Sequence, residues 1–93
     1  MSLDPDAPLV RWATFGKQVE FFLRGDIGSY LVKRANAERT EALEELVTVD
    51  ASDVAKVSAA QLRARVAGSV IDWLAEAIRA GESATEQLKE EQR

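Results

Sequence analysis

Apolar positions along the chain recur at spacings of three and four, the period of one face of an α-helix. Trp12, Phe15, Gly16, Val19, Phe22 and Leu23 form the first such face and predict a helix over about Leu9 to Leu23. Residues 1–8 read as a frayed lead, because Asp4-Pro5 and Ala7-Pro8 disfavour helix before each proline, while Pro8 suits a first helical turn. Gly16 lies on the apolar face, where it costs roughly 1 kcal/mol against alanine and permits another backbone to come close.

The pattern breaks at Arg24-Gly25-Asp26. Gly25 suits a left-handed helix end and Asp26 an N-cap. The tripeptide also spells the integrin-binding motif, but ordinary capping accounts for each residue. A second helix is expected from about Ile27 to Leu46, with Ile27, Tyr30, Leu31, Ala35, Ala42, Leu43 and Leu46 as its apolar stripe. Its outer face carries Lys33, Arg34, Glu38, Arg39, Glu41, Glu44 and Glu45, with Arg34 and Glu38 placed to pair. Such charge runs are normally solvated faces. Val47-Thr48-Val49 reads as an apolar linker, followed by Asp50 as the cap of a third helix.

That third helix is expected from about Ala51 to Ala80, with Gly81 as its stop. Val57, Ala60, Ala64, Ala67, Ile71, Leu74 and Ile78 alternate steps of three and four, a heptad seam. A second stripe of Leu62, Val66, Val70, Trp73 and Ala77 runs beside it. The acidic segment 82–93 is expected to fray. A helix over 51–80 is about 45 Å long. A compact globule of this chain length is only about 32 Å across. The helix therefore bends near Gly68 or the molecule is elongated. An elongated molecule exposes part of the seam, and the reading is self-association through Val57, Ala60, Ala64, Ala67, Ile71, Leu74 and Ile78, with a dimer the simplest case. The fold class is all-α: a helical hairpin plus an N-terminal helix, as one domain over 1–93 in an oligomeric bundle. The aromatics of the first helix are expected to dock on the Ile71–Ile78 half of the third, leaving Trp12 or Phe21 as an anchor for an unidentified protein partner.

Composition removes several chemistries. The 93-residue chain has no cysteine and no histidine. It therefore lacks thiolate nucleophiles, zinc-thiolate sites and the commonest general base. No cofactor or metal site is expected, and no enzyme. Asp72 and Glu76 are one turn apart, yet such a pair on a helix is normally solvated rather than shielded as catalysis requires. Gly25-Asp26-Ile27-Gly28 does not follow a strand and fails as a phosphate loop. The net charge of −4 disfavours direct binding to nucleic-acid backbones and to anionic membranes. Lys17, Arg24, Lys33 and Arg34 near the first break, and Arg63 and Arg65 in the third helix, read as scattered surface charges. No apolar run approaches the ~20 residues of a membrane span, and no signal-peptide pattern is seen.

Four strings carry a resemblance: Phe15-Gly16-Lys17-Gln18-Val19-Glu20, Asp26-Ile27-Gly28-Ser29-Tyr30-Leu31, Val47-Thr48-Val49-Asp50 and Trp73-Leu74-Ala75-Glu76-Ala77-Ile78. Across about Phe15 to Leu88 the chain resembles short phage and prophage proteins of unknown function. The resemblance implies a virus-encoded accessory protein of virion assembly or DNA packaging, in the host cytoplasm or associated with the virion, and it assigns no functional residue. The alternative is a small acidic inhibitor of a host nucleic-acid-binding or defence protein, with Glu41–Glu45 and Glu82–Glu91 imitating phosphate charge.

Overall fold

A computed structural model describes residues 4–92. It is all-α, with helices α1 (Pro8–Arg24), α2 (Asp26–Thr48) and α3 (Val54–Glu91) in chain order. Residues 1–3 of the expected frayed lead, and Arg93, lie outside the described residues.

Each helix start and stop has a local cause. Pro8 opens α1 in the first turn, where its missing N–H goes unneeded. The helix ends at Gly25, which is extended (φ −77°, ψ 166°) rather than left-handed as the sequence suggested. Its N–H donates to the Phe22 carbonyl at 3.1 Å, and its own carbonyl accepts from Ser29 at 2.9 Å to start α2. Gly25 is therefore the cap, and Asp26 lies inside the helix. The corner is tight enough that a Cβ on Gly28 would overlap the Phe22 carbonyl.

Val47 and Thr48 extend α2 instead of forming a linker. The Thr48 hydroxyl bonds back to the Glu45 carbonyl at 3.3 Å, which lets a β-branched residue close the last turn. Asp50 does not cap α3 as expected. Its carboxylate accepts from the Ser52 amide at 2.9 Å and hydroxyl at 2.8 Å, forming the turn before the helix. Those bonds hold the Asp50 carboxyl below its ordinary range. The cap is Asp53, which accepts from the Lys56 amide at 3.2 Å.

The expected stop at Gly81 is the main correction. The helix runs through Gly68 and Gly81 without a left-handed residue and includes most of the segment expected to fray. Gly81 meets Gly16 of α1 back to back: a Cβ on Gly16 would sit 2.8 Å from the Gly81 Cα, and one on Gly81 would sit 2.7 Å from the Gly16 Cα. A tight helix crossing there uses the glycine's missing side chain, and the Thr85 hydroxyl donates to the Gly81 carbonyl at 2.9 Å.

The 38 residues of α3 form the spine of the molecule. The chain measures 63 × 26 × 19 Å, so α3, about 57 Å long, runs nearly its full length. Arg63 faces Glu38 and Glu45, and Leu31 shares a groove with Val66 and Val70, so α2 lies antiparallel along the N-terminal half of α3. Gly16 against Gly81 places α1 along the C-terminal half. Two collinear helices thus form one arm of a long hairpin, and α3 forms the other. The radius of gyration is 18.7 Å, against about 12 Å for a compact chain of this length. Elongation, not a bend at Gly68, reconciles the long helix with the short chain.

The core is built of small residues. Val19, Ala42, Ala60, Ala67 and Ala84 are buried, together with Gly16, Gly28 and Gly81, and among the described residues no large side chain is fully enclosed. Two helices side by side enclose only the line between them, so bulky groups remain at its edges.

Candidate interaction face

The heptad seam is turned toward the chain's own helices. Ala60 and Ala67 are buried within the single chain, and Val57, Ala64, Ile71, Leu74 and Ile78 are partly covered. The surface expected to pair with another copy is thus occupied by α1 and α2. Beyond Ala77 the contact line crosses toward the second stripe, because Ala84, seven residues on from Ala77, is buried.

Most of the second stripe is open, with Val70 half-buried. Trp73 is 65% exposed, Leu62 61% and Val66 57%. Between α2 and α3, Leu31 and Ala35 line a groove with Leu62, Val66, Ala67 and Val70, and Arg34, Glu38 and Arg63 share its lining. A second groove, between α1 and α3, is polar, with Lys17, Glu20, Glu82, Glu86 and Lys89 at its rim. Leu62 and Ile78, like Val66 and Glu82, are sixteen residues apart, or about 160° around the helix. The two grooves therefore open on nearly opposite sides of α3. Phe15 and Phe22 are about 200° around α1 from Lys17 and Glu20 respectively, which places them on the apolar side.

One side of the hairpin thus carries a row of exposed apolar side chains: Leu31, Leu62 and Val66 at one end, Trp73 in the middle, and Phe22, Phe15 and Trp12 at the other. Trp12 and Phe15 pack edge to face, 6.2 Å between ring centroids at 72°, the arrangement the ring quadrupoles favour. Both remain about half exposed. Where α1 lies on the C-terminal half of α3 its aromatics are only partly covered: Gly16 and Val19 make the close contact, and the rings lie along its edge. Of the two expected anchors, Trp12 belongs to this band. Phe21 is 80% exposed, and it lies about 140° around α1 from the Gly16 contact, pointing away from α3.

An ion-pair cluster closes one end of the band. The Arg63 guanidinium donates to Glu38 (2.8 Å) and Glu45 (2.9 Å), with Glu41 at 3.8 Å. The hydrogen bonds and charge of Arg63 hold the Glu38 carboxyl below its ordinary value, and Glu38 in turn raises the Arg63 pKa. By sequence Arg63 reads as a scattered surface charge, and Glu38, Glu41 and Glu45 as part of a solvated outer face. Their signal was the spacing of Glu38, Glu41 and Glu45, which puts three carboxylates on one edge of α2 facing a single arginine. Arg34 reaches Glu38 at 3.8 Å as expected, while Lys17 pairs with Glu20 at 3.5 Å. Asp72 and Glu76 are both exposed. Among the described residues, no helix is long and apolar enough to cross a membrane, and no group of three or more acidic side chains is gathered to hold a metal ion.

No family model, no curated protein and no solved structure matches the chain.

Proposed function

We propose that this chain is a non-catalytic helical interaction protein that works by self-association through its apolar side. The observation that carries the reading is the set of exposed large apolar side chains, Trp12, Phe15, Phe22, Leu62, Val66 and Trp73 among them, beside a core of small residues. An alanine core contributes little, since burial stabilises by about 0.8 kcal/mol per CH₂. The groups with the most to gain from leaving water are the ones left outside. Exposed apolar surface of this extent marks a protein contact.

The setting follows from the resemblance to short phage and prophage proteins: an accessory or adaptor in virion assembly or DNA packaging. Ion pairing weighs against the acidic-inhibitor alternative. Glu38, Glu41 and Glu45 are gathered on Arg63, and Glu86 reaches Lys89 at 3.6 Å, so these carboxylates are partly neutralised rather than displayed as a phosphate-like array.

Light scattering tests the reading. At micromolar concentration the expected mass is a fixed multiple of the 10.2 kDa chain. A folded monomer throughout that range overturns it.

A further inference from the structure

The fold divides the cations into paired and unpaired ones, and the unpaired ones are gathered. Lys17, Arg34, Lys56, Arg63 and Lys89 each reach a carboxylate. Arg11, Arg24, Lys33, Arg39, Arg65 and Arg79 are exposed and form no ion pair among the described residues. All but Arg11 lie in residues 24–39 and 65–79, which face each other at the middle of the hairpin. We infer that Arg24, Arg39, Arg65 and Arg79 form, with Phe21, a docking site for an acidic surface of a partner protein. The site lies on the polar side, opposite the apolar row, and does not depend on self-association.

Helix geometry brings these groups to one side. Arg39 reaches from α2 across Gly68, with its Cδ and Nε 3.9 Å from where a Cβ on that glycine would be. Gly68 precedes Glu86 by eighteen residues, or five whole turns, so it lies on the side of α3 that lines the polar groove. Arg65 is about 60° around α3 from Gly68, and Arg79 about 20°. On α1, Arg24 is one turn from Glu20 and Phe21 one turn from Lys17, and both Glu20 and Lys17 line the same groove. Gly16 is level with Gly81, which sets Arg24 level with about Trp73 and Phe21 with about Glu76. The four guanidiniums therefore spread over about 21 Å, the rise from Arg65 to Arg79.

The chain's own fold leaves these groups unused. Asp72 and Glu76 share this stretch of α3, yet neither is paired with an arginine. Cations thus prevail locally on a chain whose net charge is −4. A free guanidinium holds its donors in a planar fork that matches a carboxylate. Phe21 is 80% exposed, with its ring turned away from α3. Arginine and a large aromatic together are the composition of interface hot spots. A protein surface supplies both complements, carboxylates for the arginines and an apolar recess for the ring. Glu82 and Glu86 follow Arg79 on the same side. A long polyanion such as a nucleic-acid backbone would run onto that like charge, whereas a short acidic segment would not.

The probe is a fluorescently labelled peptide of about fifteen residues, with glutamate at every fourth position on an alanine background, a helix as long as the site. Anisotropy in about 0.05 M salt is expected to show saturable binding that weakens steeply as salt rises to about 0.3 M. Arg39→Glu and Arg65→Glu are each expected to weaken binding about tenfold, and Phe21→Ser several-fold. Arg11→Glu makes the same change of charge at the unpaired arginine outside the site and is expected to leave binding unaltered. Circular dichroism verifies that the helices persist in each variant. Absence of binding, or an effect of Arg11→Glu as large as that of Arg39→Glu and Arg65→Glu, overturns the site. An oligothymidylate of the same charge that binds as tightly, and is lost in the same variants, overturns the acidic protein as its occupant. Unaltered binding by Phe21→Ser overturns the role given to the ring.

Discussion

At the scale of single residues, Gly16 and Gly81 set how closely α1 and α3 approach. A methyl at either position would meet backbone rather than a side chain that can move aside. Alanine improves helix propensity by about 1 kcal/mol, whereas forcing backbones apart in a packed contact costs about 1–3 kcal/mol. Gly16→Ala and Gly81→Ala are therefore each expected to destabilise the fold by up to about 2 kcal/mol. Gly68→Ala is expected to stabilise it, since a Cβ there meets only the flexible end of Arg39 at 3.9 Å. Thermal unfolding followed by circular dichroism separates the cases, and equal stabilisation at all three glycines would show that the crossing is loose.

Arg63 supplies a second prediction at this scale. Glu38 is held below its ordinary value of 4.5 by Arg63. A depressed folded-state pKa means stability that is fully present above that value and lost as the pH falls through the folded one. The contribution of the cluster is thus intact near neutrality and declines below about pH 4.5. Arg63→Gln is expected to lower stability at pH 7 and to flatten the acid side of the profile. Urea midpoints at pH 3, 4, 5 and 7 for both chains measure this. An unchanged difference between the two across that range would mean that Arg63 and Glu38 are not coupled.

At the scale of elements, each helix and the approximate position of most ends were legible, while the caps and the end of α3 were not. The three- and four-residue spacing identifies α1, α2 and α3, because that spacing follows from the helix itself. The ends depended on whether a glycine breaks a helix or lets another helix approach, and local sequence does not distinguish these. Gly25 breaks one, with a carbonyl released to cap the next. Gly81 continues one, because Gly16, 65 residues earlier in the chain, lies against it. Asp50 and Asp53 presented a similar ambiguity, two capping residues three apart, settled when Ser52 took the first for a turn. Asp53→Ala is accordingly expected to cost about 1 kcal/mol, the ordinary value of an N-cap, by removing its bond to the Lys56 amide. The Asp50→Ala loss acts on the turn and leaves the first turn of α3 capped. Amide exchange at Lys56, faster in the first variant alone, distinguishes the two.

At the scale of the whole molecule, the two apolar stripes of α3 have separate tasks. The seam was legible as a helix contact, but its partner was not, since periodicity reports that a face is buried and not by what. With α1 and α2 laid end to end, the chain supplies its own partner for the seam and none for the stripe from Leu62 to Trp73. A hairpin two helices wide has a poor ratio of interior to surface, so its stability and its assembly are expected to be one process. When the folded form is a dimer and the unfolded form a monomer, stability follows protein concentration by mass action. A hundredfold increase contributes about 2.7 kcal/mol, and with the usual unfolding entropy of two such chains the thermal midpoint rises by roughly 7 °C. Scanning calorimetry at micromolar and at hundredfold higher concentration measures the shift. Val66→Glu places a charge among the exposed apolar side chains of α3, and is expected to lower the midpoint at both concentrations. A midpoint of the unaltered chain that stays constant over the hundredfold range would mean that the hairpin folds without its second copy, and that the exposed band contributes nothing to its stability.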